Sequence, residues 1–380
     1  MSPSHLFLMS ATALAVCTVP LLVVLRSRDS DKFRKLVRVS MFLTLELIAF
    51  GAFTRLTDSG LGCPDWPGCY GMANPFLAHD HIVAAEEIMP QGPVTVMKAW
   101  IEMIHRFLAM AIGLMSIAVL AWSFKLWKKT KQARYAPGLP LAILLWICLT
   151  GAFGAWTVTL KLQPIIVTGH LMLGMGTLAL FTWLYCRQSG TYPVWGRTPI
   201  GDVPHSGTDL QSSTTPVRGV RVLAAVGAAV TALQIALGGW VSTNYATLAC
   251  NDYPLCGGQV IPEMDFGHGF TLWRDLGMTA TGDYLPFQAL TAIHWVHRNF
   301  ALIVFALLAW TLVKAWRSEH LRPLARGIAI VLALQALTGI STIYLSTPLA
   351  IAVLHNAGAA VLVLLLTMLN YRAKPHAPQA

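Results

Sequence analysis

The chain has 380 residues, of which 55% are hydrophobic and 12% charged, about half the charged share of an ordinary soluble domain. That shortfall excludes a disordered chain and a nucleic-acid-binding protein, although the formal net charge is +10. Apolar runs of about 20 residues recur, and the mean hydropathy is +0.59, so the apolar surface is directed at membrane lipid and not at a globular core.

Nine runs are long enough to cross about 30 Å of hydrocarbon. They cover residues 6–25, 37–54, 99–124, 139–160, 164–186, 222–241, 287–313, 327–344 and 348–371. None alternates as a barrel strand does, so all nine are expected to be helices. The expected fold class is all-α, a polytopic membrane helix bundle. The first run competes with a cleaved signal peptide, but Met1 to His5 carry no lysine or arginine and the charges follow the run. It therefore reads as an uncleaved helix with its N-terminus outside, too poor in arginine for a mitochondrial transit peptide. A bacterial plasma membrane is the expected setting.

Five stretches (26–38, 125–134, 187–221, 314–326 and the tail with Arg372 and Lys374) hold 21 of the 27 basic residues. All lie on one side of a nine-span chain, which makes that side cytoplasmic and places the C-terminus there. The two long loops on the other side carry acids instead: Asp58, Asp65, Asp80, Glu86 and Glu87 in one, Asp252, Glu263, Asp265, Asp275 and Asp283 in the other. The excess positive charge is an orientation signal and requires no acidic partner.

The sequence also repeats itself. Cys63 and Cys69 form a C-x5-C pair that recurs as Cys250 and Cys256, 187 residues later; His105-Arg106 recurs as His297-Arg298 at 192, Leu149-Thr150-Gly151 as Leu337-Thr338-Gly339 at 188, and His170 as His355 at 185. The expected organisation is an extra helix with a basic loop (1–36), a four-helix unit (37–187), a Gly/Pro/Ser/Thr-rich cytoplasmic linker (188–219), a second four-helix unit (220–371) and a cytoplasmic tail (372–380). Each unit begins inside and has an even number of spans, so the repeat is parallel and not inverted.

His105, His170, His297 and His355 each fall seven or eight residues into a helix that starts at the outer face, about 10 Å deep. A lone histidine in an apolar helix is usually a hydrogen-bonded core residue. Four at one depth, in two repeat-related pairs, point to ligands. Two imidazoles per half are too few for zinc, which takes three or four protein ligands. They suffice for haem, whose porphyrin supplies four nitrogens. Arg106 and Arg298, within the spans, are placed to meet propionates or a nearby carboxylate. Three residues before His105 stands Glu102, where the second half has His294. This carboxylate is a candidate for proton transfer or for stabilising developing positive charge; an ion pair with Arg106 is the structural alternative. The asymmetry suggests that one site does chemistry while the other moves electrons. Glu46 is matched to Gln234 and reads as structural, and His79 and His81 read as solvated.

The cysteine pairs fall in outer loops, where disulfides persist. Cys63–Cys69 and Cys250–Cys256 are therefore expected as loop staples, with a redox relay at the first as the sharper reading. Cys17, Cys148 and Cys186 read as buried small hydrophobes.

The run Thr54-Arg55-Leu56-Thr57-Asp58-Ser59-Gly60-Leu61-Gly62-Cys63-Pro64-Asp65-Trp66-Pro67, with Glu102-Met103-Ile104-His105-Arg106 and the four histidines in order, closely resembles the haem A synthases of cytochrome oxidase maturation, over residues 37–371. The resemblance implies oxidation of a ring methyl of haem O to the formyl group of haem A. It implies a substrate haem O held between His105 and His170 with Glu102 catalytic, and a haem B cofactor held between His297 and His355. It also implies haem O synthase and the oxidase assembly machinery as partners. Two features depart from the family pattern: mitochondrial-type members lack the cysteine pairs, and the usual core has eight helices without the leading span. The rival from another class is a non-catalytic bis-histidine b-type cytochrome that relays electrons.

Overall fold

The computed structural model describes residues 2–189 and 214–374. The linker expected at 188–219 falls largely outside the described residues, as does the tail beyond 374. Eleven α-helices are described: α1 (Pro3–Arg26), α2 (Lys32–Leu56), α3 (His79–Ile88), α4 (Val96–Thr130), α5 (Gly138–Thr159), α6 (Pro164–Gln188), α7 (Thr214–Thr243), α8 (Phe266–Gly269), α9 (Phe287–Trp316), α10 (Arg322–Tyr344) and α11 (Leu349–Arg372). Nine of these are long and apolar enough to cross a membrane, and no strand occurs among the described residues. The protein is a multi-pass membrane helix bundle.

Helix ends follow local chemistry. Ser2, Asp31 and Thr95 cap α1, α2 and α4 by accepting from the backbone N–H three residues on, which satisfies donors that the first turn leaves free. Prolines fill the first turns of α1, α6 and α10, where the missing N–H is not needed. Several helices outrun their apolar stretches. The run at 99–124 lies inside α4, which continues to Thr130 through Lys128 and Lys129. Hydropathy marks the hydrocarbon crossing, whereas basic residues in a last turn favour the negative end of the helix dipole and prolong the helix. The short helices α3 and α8 lie in the two long connections and carry no apolar run that would announce them.

Packing closes two rings. α2 packs on α4, α4 on α5, α5 on α6 and α6 on α2; α7 packs on α9, α9 on α10, α10 on α11 and α11 on α7. The rings meet along α2–α11, α6–α7 and α6–α11. Exchanging α2 with α7 and α6 with α11 leaves that set of contacts unchanged, as a two-fold axis would. Residues 187 apart touch on that axis: Arg55 Nη2 donates to Ser242 O at 2.5 Å, and Tyr245 Oη donates to Asp58 Oδ1 at 2.7 Å. The shared core there includes Met175, Leu178 and Phe181 of α6 with Ala360, Leu364 and Met368 of α11. α1 lies outside both rings, against α4 and α2, and buries Met9, Cys17 and Val24.

Candidate functional site

His105 is on α4 and His170 on α6, opposite corners of the first ring; His297 on α9 and His355 on α11 are opposite corners of the second. Each imidazole lies against a glycine of a neighbouring helix. A Cβ built on Gly51, Gly154, Gly238 or Gly339 would stand 3.0, 3.1, 2.9 or 3.2 Å from Cε1 of His105, His170, His297 or His355 respectively. Those separations are below ordinary carbon contact, so a ring can lie this close to the helix backbone only where the side chain is a hydrogen atom. Of these four glycines only Gly339 was singled out from sequence, and there it was matched to Gly151. Their signal was present, since Gly51 and Gly238 are 187 apart, like the cysteines, and Gly154 and Gly339 are 185 apart, like His170 and His355.

That register corrects two sequence expectations. Leu149-Thr150-Gly151 is not the structural counterpart of Leu337-Thr338-Gly339: no side chain or backbone approaches Gly151, whereas Gly339 lies against His355. The left-handed residues Lys161 and Leu162 recur as Ser346 and Thr347, again 185 apart. The tripeptide match was three residues out of phase, close to one helical turn, so helix periodicity concealed the error. Similarly, counting back four residues from Gly51 and Gly238 pairs Gln234 with Leu47 and not with Glu46, which is exposed.

Nδ1 of three histidines is tethered. His170 Nδ1 donates to Thr150 O at 3.0 Å, His355 Nδ1 lies 2.9 Å from Thr338 Oγ1, and His297 Nδ1 lies 3.1 Å from Gln234 Nε2, an amide donor that also reaches His297 O at 3.1 Å. His105 Nδ1 is buried and has no partner among the described residues. His105 and His170 are near enough to interact electrostatically, as are His297 and His355. An acceptor at Nδ1, as Thr150 O is for His170 and Thr338 Oγ1 for His355, leaves Nε2 for a metal. Among the described residues no group of three or more His, Cys, Asp or Glu side chains is placed to hold a metal ion by itself. Two imidazole nitrogens per ring fit an iron whose remaining nitrogens come from a porphyrin.

Above the histidines, each C-x5-C turn is tied to the helix below it. The structure joins Cys63 to Cys69 with an S–S distance of 2.08 Å and Cys250 to Cys256 with 2.01 Å. Asp65 accepts from the N–H of Tyr70 and Gly71 at 2.6 and 2.7 Å, and Asp252 from Gly257 and Gly258 at 2.7 and 2.8 Å. The Gly258 and Gly257 N–H groups hold the Asp252 carboxyl below its usual range. Buried Glu102 accepts from Cys63 N–H at 2.7 Å and pairs through its other oxygen with Arg106. Arg106 Nη1 also donates to Gly68 O at 2.6 Å and Asp65 O at 2.9 Å. In the second ring His294 Nδ1 takes the place of the carboxylate, accepting from Cys250 N–H at 3.2 Å, and Arg298 Nη2 donates to Leu255 O at 2.8 Å. Arg298 Nη1 is buried and has no hydrogen-bond partner among the described residues. Glu102 and His294 thus perform one structural task with different chemistry.

Other candidates are less engaged. His79 opens α3, and the His81 ring stacks on Tyr70, centroids 5.7 Å apart. Cys17 and Cys186 are buried as expected, but Cys148 is exposed. In a bilayer an apolar side chain needs no protein cover, so hydrophobic context alone does not imply core burial.

The sequence profile of the family described as cytochrome oxidase assembly protein matches residues 34–367, which leaves α1 outside it. A haem A synthase of Shewanella oneidensis is 38% identical, the match covering 88% of this chain and 95% of the relative. Haem A synthases of Sinorhizobium medicae and of a Caulobacter species (strain K31) are 28% and 29% identical, over 88% and 92% of this chain and 88% and 98% of their own lengths.

Proposed function

Because this chain belongs to the haem A synthase family of cytochrome oxidase assembly proteins, we propose that it oxidises a ring methyl of haem O to the formyl group of haem A. The observation that carries the division of labour is the exchange of Glu102 for His294 at matched positions under matched turns. A structural anchor needs only an acceptor for the turn N–H, and His294 supplies one. A carboxylate offers something more: a proton acceptor, and negative charge against positive charge developing at the reacting carbon.

In this reading His105 and His170 hold the substrate, and His297 and His355 hold a resident haem b, which supplies one-electron transfer when bound. Glu102, with one oxygen on Cys63 N–H and the other on Arg106, is fixed in orientation and moves a proton at the substrate methyl. Arg106 is committed to Glu102 and the turn, whereas the unpartnered Nη1 of Arg298 is available to a propionate. The membrane is a bacterial plasma membrane, with the disulfide turns outside and the basic loops inside. Haem O synthase is the expected upstream partner and the oxidase assembly machinery the downstream one.

The test is haem extraction from cells that make this protein together with haem O synthase: haem A is expected, and its absence would sink the reading. Glu102→His copies the second ring. It should keep the turn anchored, retain both haems and make no haem A; a variant that still made haem A would reduce Glu102 to an anchor of the turn.

A further inference from the structure

The end of the bundle that carries the basic loops holds a cavity of about 420 Å³, set between the connection from α1 to α2 and the connection from α4 to α5. Phe33, Trp122 and Tyr135 form its apolar wall, and Ser30, Lys32 and Arg134 are among its polar groups. The three rings brace one another edge to face: Phe33 meets Trp122 at 6.4 Å and 63°, and Tyr135 at 5.7 Å and 73°. Ser123 Oγ, donating to Tyr135 O at 2.7 Å, ties that wall to α4. Duplication does not explain the cavity. At the offsets that pair α2 with α7 and α4 with α9, Phe33 and Trp122 correspond to Val220 and Lys314, so the second ring has no such wall. The family profile does not explain it either, because the profile begins at residue 34, after Ser30, Lys32 and Phe33.

The charged groups around the cavity are engaged unequally. The Asp31 carboxylate caps α2 by accepting from Arg34 N–H at 2.8 Å. Lys32 Nζ donates to Leu25 O at 3.2 Å and to Ser27 O, which closes the end of α1. Arg134 uses only Nε, on Gln132 Oε1 at 2.8 Å, while its guanidinium lies 4.6 Å over the Tyr135 ring. Neither Nη of Arg134 has a partner among the described residues, and that free fork matches a phosphate with two parallel bonds. The first turn of α2, whose Lys32 and Phe33 line the cavity, adds the positive end of its dipole. Neighbouring cations of α4 lie over rings, Lys128 over Phe124 at 4.5 Å and Lys131 over Trp127 at 4.6 Å, as amphipathic side chains do at the level of the lipid headgroups. Basic pockets between membrane helices on the cytoplasmic side hold anionic headgroups. We propose that this cavity binds one anionic phospholipid, its phosphate on Arg134 at the Ser30 rim and the start of its acyl chains against Phe33, Trp122 and Leu126. The lipid then joins α1 and α2 to α4. The inference rests on the membrane fold and not on the haem chemistry.

The test uses the full-length protein, purified in detergent and stripped of lipid, then titrated with phosphatidylglycerol in mixed micelles and followed by native mass spectrometry and thermal melting. One phosphatidylglycerol should bind and raise the melting temperature, as a ligand of the folded state does. Phosphatidylethanolamine with the same chains, having no net charge, should do neither. Arg134→Gln should weaken phosphatidylglycerol binding about 10-fold, the loss of a charge-assisted pair. Ser30→Glu, which sets a carboxylate on the same rim, should weaken it as well; both native residues are exposed, so neither change should disturb the fold. Lys129→Gln, at an exposed lysine of α4 outside the cavity, should leave binding unchanged. An equal response to the two lipids overturns the proposal, as does unchanged affinity in Arg134→Gln. A Lys129→Gln loss as large as that of Arg134→Gln also overturns it, because the attraction would then belong to the whole basic surface. Displacement of the lipid by inorganic phosphate alone would make this a site for a free anion and overturn it too.

Discussion

At the scale of the residue, what holds the candidate ligands is the absence of side chains opposite them. A methyl group on Gly238 would stand 2.9 Å from His297 Cε1 and 3.5 Å from Nδ1, so the ring would have to turn, and Nδ1 would leave Gln234. Gly238→Ala should therefore cost the second ring its haem while leaving the first occupied: a pyridine haemochrome assay should read about half the wild-type haem. Full occupancy would mean that the glycine is incidental. Gly151→Ala, with open space around it, is the matched control and should keep both. The histidines and cysteines were legible because they are rare residues repeated at nearly constant spacing. The supporting glycines were not, because the chain has 30 and small residues are common wherever membrane helices approach closely. Gln234 was noticed but paired with Glu46, since a one-residue slip in an apolar helix changes the face without changing the composition.

At the scale of the element, the C-x5-C turn over α4 is held by three devices: the disulfide, the Asp65 carboxylate on two turn N–H groups, and the Glu102–Arg106 pair with its bonds to Cys63 N–H, Gly68 O and Asp65 O. Their contributions should differ. Closing so short a loop stabilises by about 2 kcal/mol in the chain-entropy account, and with the other ties intact Cys63→Ser with Cys69→Ser should fold, keep both haems and lose only a few degrees of thermal stability. Arg106→Leu leaves the Glu102 carboxylate buried without its counter-charge, a change that costs about 3–5 kcal/mol. That variant should accumulate poorly, and adding Glu102→Leu should restore part of the folded yield. If the double-serine variant proved the more damaging of the two, the staple and not the buried ion pair would be what positions the turn. Retained haem A production in it would also end the idea of a redox relay at this pair. The helices α4 and α9 that carry these anchors were plain from hydropathy; the tie between turn and helix was not, because it joins residues 39 apart in sequence through a backbone N–H that no side-chain pattern reveals.

At the scale of the whole molecule, charge and packing separate. The two rings meet through α2, α6, α7 and α11, and at the disulfide end this seam is closed by Arg55, Asp58, Ser242 and Tyr245, with the Arg55 guanidinium 4.3 Å over the Tyr245 ring. Basic residues gather at the opposite end, among them Lys35 and Arg38 on Asp29 and Lys128 and Lys129 in the last turn of α4. Lysine and arginine resist transfer across the membrane, so the basic end should face the cytoplasm. Labelling with a membrane-impermeant maleimide tests this in a background where exposed Cys148 is replaced by serine, Cys17 and Cys186 being buried. Tyr284→Cys, on the long connection before α9 where the native side chain is 85% exposed, should react in intact cells. Lys129→Cys, at the end of α4, should react only after the membrane is opened. The reverse pattern would overturn more than the orientation, because it would place Cys63–Cys69 and Cys250–Cys256 in a reducing compartment where such bonds do not persist. The orientation and the disulfides therefore stand or fall together.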